Sequence, residues 1–276
     1  MIHINYPELL HDGKWGDNKV MIQDDVDLLS NTGFNELGYC ILDTMDNSEL
    51  LQSIMKKQIY EKTKKHIFEL DKYHEFIDKN EHTDILNTMP YKKHTEGISD
   101  FAKYLENTVS IALQENVKIF NDDLWFRICR PTSIYPNDFN PCHKDVYLDF
   151  YRNTVNIYIP VVGSNEMSSL NIHPGSHKWN EDETYVTSGG AFFKSINKKY
   201  SVDAIVASKQ PIKMIRPNPS NTQMLLFSPY LIHGCANNDN VDTTRISLEV
   251  RFIKNDENAL IQEEKFNNFL NKRIWR

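Results

Sequence analysis

The sequence is short of cysteine, of positive charge and of long apolar runs. Its four cysteines, Cys40, Cys129, Cys142 and Cys235, have no paired spacing, which indicates reduced thiols in a cytoplasmic protein rather than a disulfide framework. The 31 basic and 38 acidic residues give a net charge of −7, so neither a nucleic-acid partner nor an anionic membrane is expected. No apolar run approaches the roughly 20 residues of a membrane span, and residues 1–10 lack the pattern of an export signal.

The composition predicts one elaborated domain. A chain of 276 residues with 40% apolar content can bury one large core, and no segment is of low complexity. We expect a mostly helical part over residues 1–120, a strand-rich core over 121–254 and a C-terminal helix over 255–276.

Helical periodicity is confined to the first part of the chain. Apolar residues recur at three- and four-residue intervals from Asn47 to about Asn80, and again from Ser99 to about Gln114. Asp46 to Ser48 offer caps for the first helix, and Ser99 or Asp100 for the second. Each predicted helix has one apolar face, which we expect to cover the apolar backs of the strands.

From residue 124 onward the pattern is that of short strands. Several strands without intervening helices are typical of an antiparallel sandwich or barrel. The stretch 179–209 is irregular, and we expect either a lid-like binding loop or disorder there. The predicted strands are Leu124–Arg130, Val155–Val162, Leu170–His173, Pro211–Ile215, Gln223–Phe227 and Arg245–Phe252.

A metal site is indicated by the pair His143 and Asp145. On an extended chain, side chains two residues apart point to the same face, so both can reach one ion while Lys144 points away. The best candidate for a third ligand is His233. Two histidines and one carboxylate leave coordination positions open, as in non-heme iron(II) oxygenases, whereas structural zinc is usually closed by four ligands.

Other metal-binding residues lie near this trio and have to be weighed. Cys142 would face away from His143 on a strand, but Cys235 follows a glycine and could fold back, which keeps a thiolate-ligated zinc site open as an alternative. His173 and His177 flank a Pro-Gly-Ser turn, and we expect His177 to order that turn by hydrogen bonds rather than to bind a second metal.

The strand Arg245–Phe252 carries an unusual polar face. Its apolar residues alternate with Arg245, Ser247, Glu249 and Arg251, which suits a strand that lines a polar cavity. A guanidinium can hold a carboxylate through two parallel hydrogen bonds, so an arginine on this face would suit a dicarboxylate whose other end chelates the metal. Arg245 and Arg251 lie six residues apart, so only one of them can hold such a co-substrate.

Four blocks of sequence resemble the phytanoyl-CoA dioxygenase-like branch of the iron(II) and 2-oxoglutarate-dependent oxygenases. The order and spacing of the blocks match that family over roughly residues 35 to 253. The Pro-Gly-Ser-His turn and the Arg-x-Ser after the distal histidine make the match specific. The blocks are Leu37–Asp43, Pro141–Asp145, Leu170–Lys178 and Leu226–His233, the last continuing to Arg245–Ser247.

The resemblance implies a mainly β fold with flanking helices: a double-stranded β-helix, or cupin-like jelly roll, with the N-terminal helices on its outer face. It implies a single catalytic domain over residues 1–276 that uses Fe(II), 2-oxoglutarate and O2, and releases succinate and CO2 as it hydroxylates a substrate. His143, Asp145 and His233 fall on the metal positions. Arg245 falls on the position that binds the 2-oxoglutarate carboxylate and Ser247 on a secondary co-substrate contact.

The remaining candidates concern the substrate. Asn156 is a polar residue in an apolar strand and is interpreted as a co-substrate or substrate donor. Polar residues expected near the metal predict a small polar substrate, such as a sugar derivative or amino-acid-like metabolite, and leave homo-oligomerisation open. The alternative is a non-oxygenase, cupin-like metal-binding protein or zinc-dependent enzyme on the same fold. The substrate candidates are Tyr147, Arg251 and one of Arg127 and Arg130, which lie on opposite faces of their strand.

Overall fold

The computed structural model describes residues 1–6, 9–10, 14–15, 28–29, 31–135, 138–194 and 198–273. Within these residues the chain forms mostly antiparallel sheets together with five α-helices. None of the helices in these ranges is long and apolar enough to cross a membrane. The helices are α1 Ser48–Thr63, α2 Tyr73–Phe76, α3 Lys79–Leu86, α4 Ser99–Leu113 and α5 Glu257–Arg273. The strands are β1 Ile2–His3, β2 Leu9–Leu10, β3 Lys14–Trp15, β4 Tyr39–Asp43, β5 Tyr91–Lys92, β6 Val117–Cys129, β7 Thr154–Val162, β8 Thr184–Val186, β9 Ala191–Phe193, β10 Lys198–Tyr200, β11 Ile205–Ser208, β12 Gln223–Phe227 and β13 Arg245–Lys254.

The largest sheet has six antiparallel strands in the order β4-β12-β7-β13-β6-β5. Its central strand β13 pairs with β7 on one side and with β6 on the other. The apolar residues of β13, among them Leu248 and Phe252, are fully buried in one cluster with Leu51 and Met55 of α1 and Leu105 of α4. The prediction that the helices cover the apolar face of the strands is therefore confirmed, and the polar face of β13 is left for the other side of the sheet.

The second helical prediction is confirmed and the first is too long. α4 occupies Ser99–Leu113, although neither Ser99 nor Asp100 caps it, since its N-cap is Ile98. The expected helix over 47–80 ends at Thr63, because Lys64 adopts a left-handed conformation, φ 61°. A new helix, α3, starts at Lys79 behind an Asp78 cap.

The expectation of an irregular or disordered stretch at 179–209 is wrong for the described residues there. Residues 179–194 and 198–209 contain β8 to β11, which pair with one another and with strands from the first 15 residues in two small sheets. These strands are only three or four residues long, and Gly189 and Gly190, with φ 72° and 103°, separate β8 from β9. Their pairing partners are remote in sequence, so local periodicity could not reveal them.

Other strand boundaries also differ. β12 is as predicted, but β6 begins at Val117 rather than Leu124, because Asn121 and Asp122, both at positive φ, interrupt its alternation. The predicted strands Leu170–His173 and Pro211–Ile215 are reduced to a single bridge between Ile172 and Ile215. Ile172 forms a second isolated bridge, with His233.

Candidate metal centre

The two histidines of the predicted trio are brought together by the backbone itself. His143 and His233 form an antiparallel bridge in which each backbone N–H donates to the other's carbonyl, at 2.9 and 3.0 Å. The chain turns away from this bridge directly after His233, at Gly234, which has φ 100°. A Cβ at that glycine would lie 2.3 Å from the Pro141 carbonyl oxygen, so the tight crossing of the two segments requires the absence of a side chain.

Asp145 reaches the same point from the segment that carries His143. Lys144 between them is extended, and its buried ammonium points away and donates to the Trp179 carbonyl at 3.3 Å. The parity argument therefore holds for these three residues, although Asp145 itself opens a 3-10 turn and not a strand. All three candidate ligands are buried, and their nearest donor atoms lie within 4.8 Å of one another.

The donor atoms of this trio converge in the form that a metal needs. Nδ1 of His143 lies 2.6 Å from the Pro141 carbonyl and Nδ1 of His233 lies 2.9 Å from the Leu231 carbonyl, which fixes the proton on each Nδ1 and turns Nε2 inward as an acceptor. The two Nε2 atoms lie 3.5 and 3.7 Å from Oδ1 of Asp145. Burial, with the neighbouring His143, lowers the pKa of His233 to about 4, which keeps it neutral at physiological pH.

The second carboxylate oxygen of Asp145 accepts hydrogen bonds from two neighbouring side chains. Oδ2 accepts hydrogen bonds from Nδ2 of Asn156 at 2.9 Å and from Nε and Nη2 of Arg251 at 3.1 and 2.9 Å. These two donors are directly opposite each other in the pairing of β7 with β13. Burial alone would raise the pKa of Asp145, but the charge of Arg251 outweighs it and holds that pKa well below the usual range. The carboxylate is thus ionised, oriented and ready to bind a cation through Oδ1.

Arg251 and Asn156 have a role that the sequence did not indicate. Both were expected to contact a substrate or co-substrate; both line the cavity, and both also hold the carboxylate of Asp145. Arg251 is also stacked over Tyr151, with its guanidinium carbon 4.1 Å from the ring centre. Strand parity identified the face on which each residue lies, but the cross-strand register that brings them to Asp145 carries no signal in either segment alone.

Arg245 lines the same cavity as His143, Asp145 and His233. Its side chain is buried, and it donates from Nη1 to Ser247 Oγ at 2.9 Å and from Nη2 to Cys129 Sγ at 2.6 Å. Its Nε is buried without a hydrogen-bond partner among the described residues. A buried cation whose partners are a hydroxyl and a thiol, with one donor unused, is suited to an incoming carboxylate. Ser247 orients this arginine.

The remaining sequence candidates separate into one that lines the cavity and two that do not. Arg127 lines it, and pairs through Nη2 with Glu249 Oε2 at 3.2 Å. Arg130 lies elsewhere, buried in a two-point ion pair with Asp138 at 2.7 and 3.0 Å. Tyr147 is also away from the cavity, in an apolar cluster, with its hydroxyl 3.3 Å from Thr184 Oγ1. Of the two arginines, Arg127 lines the cavity and Arg130 does not.

Within the part of the chain that the structure describes, the other histidines and the cysteines do not extend the candidate metal centre. His177 Nε2 lies 2.7 Å from the Asn35 carbonyl and His173 Nδ1 lies 2.8 Å from the Lys213 carbonyl, so both tie down the turn between them. Across the residues that the structure describes, His143, Asp145 and His233 are the only group of three or more ligand-type side chains close enough to share an ion. A thiolate ligand from Cys142 or Cys235 is therefore not supported.

His143 and Asp145 lie where a small inner cavity meets a larger outer cleft. The inner cavity, of about 50 Å³, is also lined by His233 and Arg245, and the outer cleft, of about 290 Å³, lies between β6, β13 and α5. The two spaces share a polar boundary. That boundary consists of Arg127, Asn140, His143, Asp145, Glu249 and Arg251.

No protein-family model and no curated protein matches the sequence. Solved structures do match. EctD from S. alaskensis, in its apo form, superposes with a TM-score of 0.50 at 11% identity, over 90% of this chain and 85% of that one. ThoJ, a non-heme monooxygenase in its apo form, superposes with a TM-score of 0.51 at 13% identity, over 83% of this chain and 77% of that one. The chain shares the fold of these two proteins.

Proposed function

We propose that the chain is an Fe(II)/2-oxoglutarate-dependent dioxygenase that hydroxylates a small molecule, with a jelly-roll core over residues 121–254 inside a single catalytic domain. The observation that carries the proposal is the convergence of two inward Nε2 atoms and one Asp145 oxygen on a buried point. Three ligands on one side leave the rest of an ion's shell open for exchangeable partners. The shared fold with ThoJ, a non-heme monooxygenase, agrees with that chemistry.

The donor set fits iron(II) and an oxo-acid co-substrate. The chemistry that iron supplies in such a site is oxygen activation coupled to the conversion of 2-oxoglutarate to succinate and CO2. His143 and His233 present ring Nε2 atoms and Asp145 an ionised oxygen, so the ion's charge would be partly compensated by a single carboxylate. Arg245 supplies a fixed positive charge in the lining of the same cavity, where it would pair with the far carboxylate of the co-substrate.

The polar boundary between the two spaces would meet the substrate. Arg127, Asn140 and Glu249 form a connected set there, since Arg127 Nη1 donates to Asn140 Oδ1 at 3.2 Å and Nη2 pairs with Glu249. Burial of the metal trio excludes bulk water from the reacting carbon, which protects the oxidising chemistry from side reactions. A polar group on the substrate, next to the carbon that is oxidised, is the part we assign to this boundary.

A spectroscopic experiment tests the proposal without knowledge of the substrate. Purified protein given iron(II) and 2-oxoglutarate without oxygen should develop a weak visible metal-to-ligand absorption band, which zinc(II) cannot give. His143→Ala, Asp145→Ala and His233→Ala should each abolish the band and succinate formation, whereas His94→Ala, at an exposed histidine, should retain both. Full iron loading and turnover in any of the three ligand variants would overturn the assignment. A site that binds zinc and gives no band with iron would indicate a zinc-dependent enzyme on the same fold.

A further inference from the structure

The outer cleft has a polar end at the metal and an apolar wall away from it. Beyond the shared polar boundary, aromatic and aliphatic side chains from three separate elements line the space. They are Trp125 of β6, Leu148, Phe150 and Tyr151 of the turn that follows the metal ligand, and Phe266, Phe269 and Leu270 of α5. Polar residues of the segment 199–202 complete the rim.

The apolar wall is only partly used by the protein's own packing. Phe150 and Phe266 pack against each other at 5.2 Å between ring centres, and both are buried. Trp125 and Phe269 are half-buried, and Leu270 is 38% exposed. Large apolar side chains that face a cleft from both sides gain stability when an apolar molecule displaces the water between them.

The charged side chains at the polar end of the cleft are paired with one another before any ligand enters. Arg127 is paired with Glu249 and Arg251 with Asp145. Lys199, on the rim, is a further cation that lines the cleft, and its ammonium lies 5.8 Å from the centre of the Phe192 ring. Burial raises the pKa of Glu249, but Arg127 and Arg245 outweigh it and lower that pKa overall, so the carboxylate stays ionised. A charged substrate group would disturb these pairs, whereas an amide, hydroxyl or carbonyl can hydrogen-bond to Asn140 and Arg127 without breaking them.

We infer that the substrate is an uncharged amphipathic small molecule, with a ring-containing apolar body against α5 and Trp125 and a neutral hydrogen-bonding group at the Arg127–Asn140 end. This deepens the proposed function and rests on it for the reaction. In that reaction R–H, O2 and 2-oxoglutarate give R–OH, succinate and CO2. The sequence-based expectation was a small polar substrate, because polar residues were expected around the metal. Of those residues Arg127, Tyr151, Glu249 and Arg251 line the cleft, whereas Tyr147 and Arg130 do not.

Binding can be measured separately from turnover. We would titrate metal-free protein by calorimetry with matched N-acetyl amino-acid amides whose side chain is indolylmethyl, benzyl, cyclohexylmethyl or hydrogen, and with the corresponding free acids. The best neutral ring-bearing amide should bind at least about tenfold more tightly than the hydrogen analogue and more tightly than its own free acid. Leu270→Glu should weaken that binding about threefold or more, whereas Leu260→Glu, at an exposed leucine of the same helix outside the cleft, should not.

The possible outcomes distinguish a wrong substrate class from a wrong reaction. If no ring-bearing amide exceeds the hydrogen analogue tenfold, or if the free acids bind best, the inferred substrate class is wrong even when iron and 2-oxoglutarate give the expected band. If ring-bearing amides bind as expected but no band and no succinate appear, the proposed reaction is wrong and the ligand class stands. Loss of binding in both leucine variants would place the ligand outside the cleft and overturn the inference.

Discussion

At the scale of single residues, the polar face of β13 carries two arginines that have different partners. Arg245 lies in the inner cavity beside Ser247, while Arg251, six residues along, grips the carboxylate of Asp145. Arg245 is buried and Arg251 is half-buried, and both were indicated by the alternation of the strand. Their different partners predict different defects when each is replaced, and these defects can be measured independently.

Arg245→Gln should weaken 2-oxoglutarate binding and leave metal binding intact. A charge-assisted pair with a carboxylate is stronger than a neutral hydrogen bond by roughly 1–2 kcal/mol, so we expect about a five- to thirtyfold rise in the dissociation constant of 2-oxoglutarate. The visible band, titrated with 2-oxoglutarate at saturating iron, measures it. Unchanged affinity would remove Arg245 from the co-substrate site.

Arg251→Gln should show the opposite pattern. Loss of its two hydrogen bonds to Asp145 Oδ2 frees the carboxylate to turn and removes the charge that lowers its pKa. Groups that orient a metal ligand typically contribute about ten- to a hundredfold to metal affinity, so iron(II) titration should show a loss of that size. Arg127→Gln, which removes an arginine of the same cavity that does not touch Asp145, is the matched control. Equal metal affinities in the two variants would contradict the role of Arg251.

At the scale of elements, the site depends on two chain segments crossing at close range. Gly234→Ala would place a Cβ 2.3 Å from the Pro141 carbonyl oxygen and 3.1 Å from His143 Nδ1, in a backbone conformation that costs an L-residue about 1–2 kcal/mol by itself. We expect the bridge between His143 and His233 to open and metal affinity to fall at least tenfold. Gly175→Ala, at φ 78° with nothing within 4 Å of the new Cβ, meets the same backbone strain without the clash. Iron titration of the two variants should therefore differ, with Gly175→Ala close to the native protein.

The helix α3 carries a pH-sensitive contribution to stability. His82 is buried, with Nδ1 3.0 Å from the Tyr73 hydroxyl, and burial together with Arg130 lowers its pKa from 6.5 to about 4. The unfolded chain takes up a proton at this histidine near pH 6.5 and the folded protein only near pH 4, so stability falls as the pH drops through that interval. The loss is at most about 3 kcal/mol, at roughly 1.4 kcal/mol per pKa unit.

Urea denaturation at pH 7.5 and pH 4.5 measures this contribution. His82→Asn should lose less stability between the two pH values than the native protein does. His94→Asn, at an exposed histidine, should lose as much as the native protein. An identical pH dependence in all three proteins would mean that His82 is not the group responsible.

How far the sequence predicts this site depends on the range of the interaction. The pairing of His143 with Asp145 follows from the local alternation of an extended chain, and β12 and β13 were predictable because their own residues alternate. The attachment of Asn156 and Arg251 to Asp145 depends on the register between β7 and β13, which no single segment encodes. The small strands β8 to β11 could not be predicted either, because some of their pairing partners lie in remote parts of the chain.

At the scale of the whole molecule, the C-terminal helix is linked to the metal centre through a chain of aromatic contacts. Phe266 of α5 lies 5.5 Å from Phe120 and 6.1 Å from Tyr151, measured between ring centres. Tyr151 stacks under Arg251, and Arg251 holds Asp145. The helix thus closes one wall of the outer cleft and also supports the residue that orients a metal ligand.

Phe266→Ala should lower both the stability of the protein and its iron affinity. Removing a buried phenylalanine typically costs about 3–5 kcal/mol, and Phe266 is only 4% exposed, so the free energy of unfolding should fall by about that amount and the urea midpoint should fall with it. Leu260→Ala, on the exposed side of the same helix, should change stability by less than about 0.5 kcal/mol. Under conditions in which Phe266→Ala remains folded, its iron affinity should lie between those of the native protein and Arg251→Gln, because Tyr151 loses one side of its packing. Native iron affinity in this variant would show that the helix supports only the cleft wall and that the carboxylate is oriented by Arg251 and Asn156 without it.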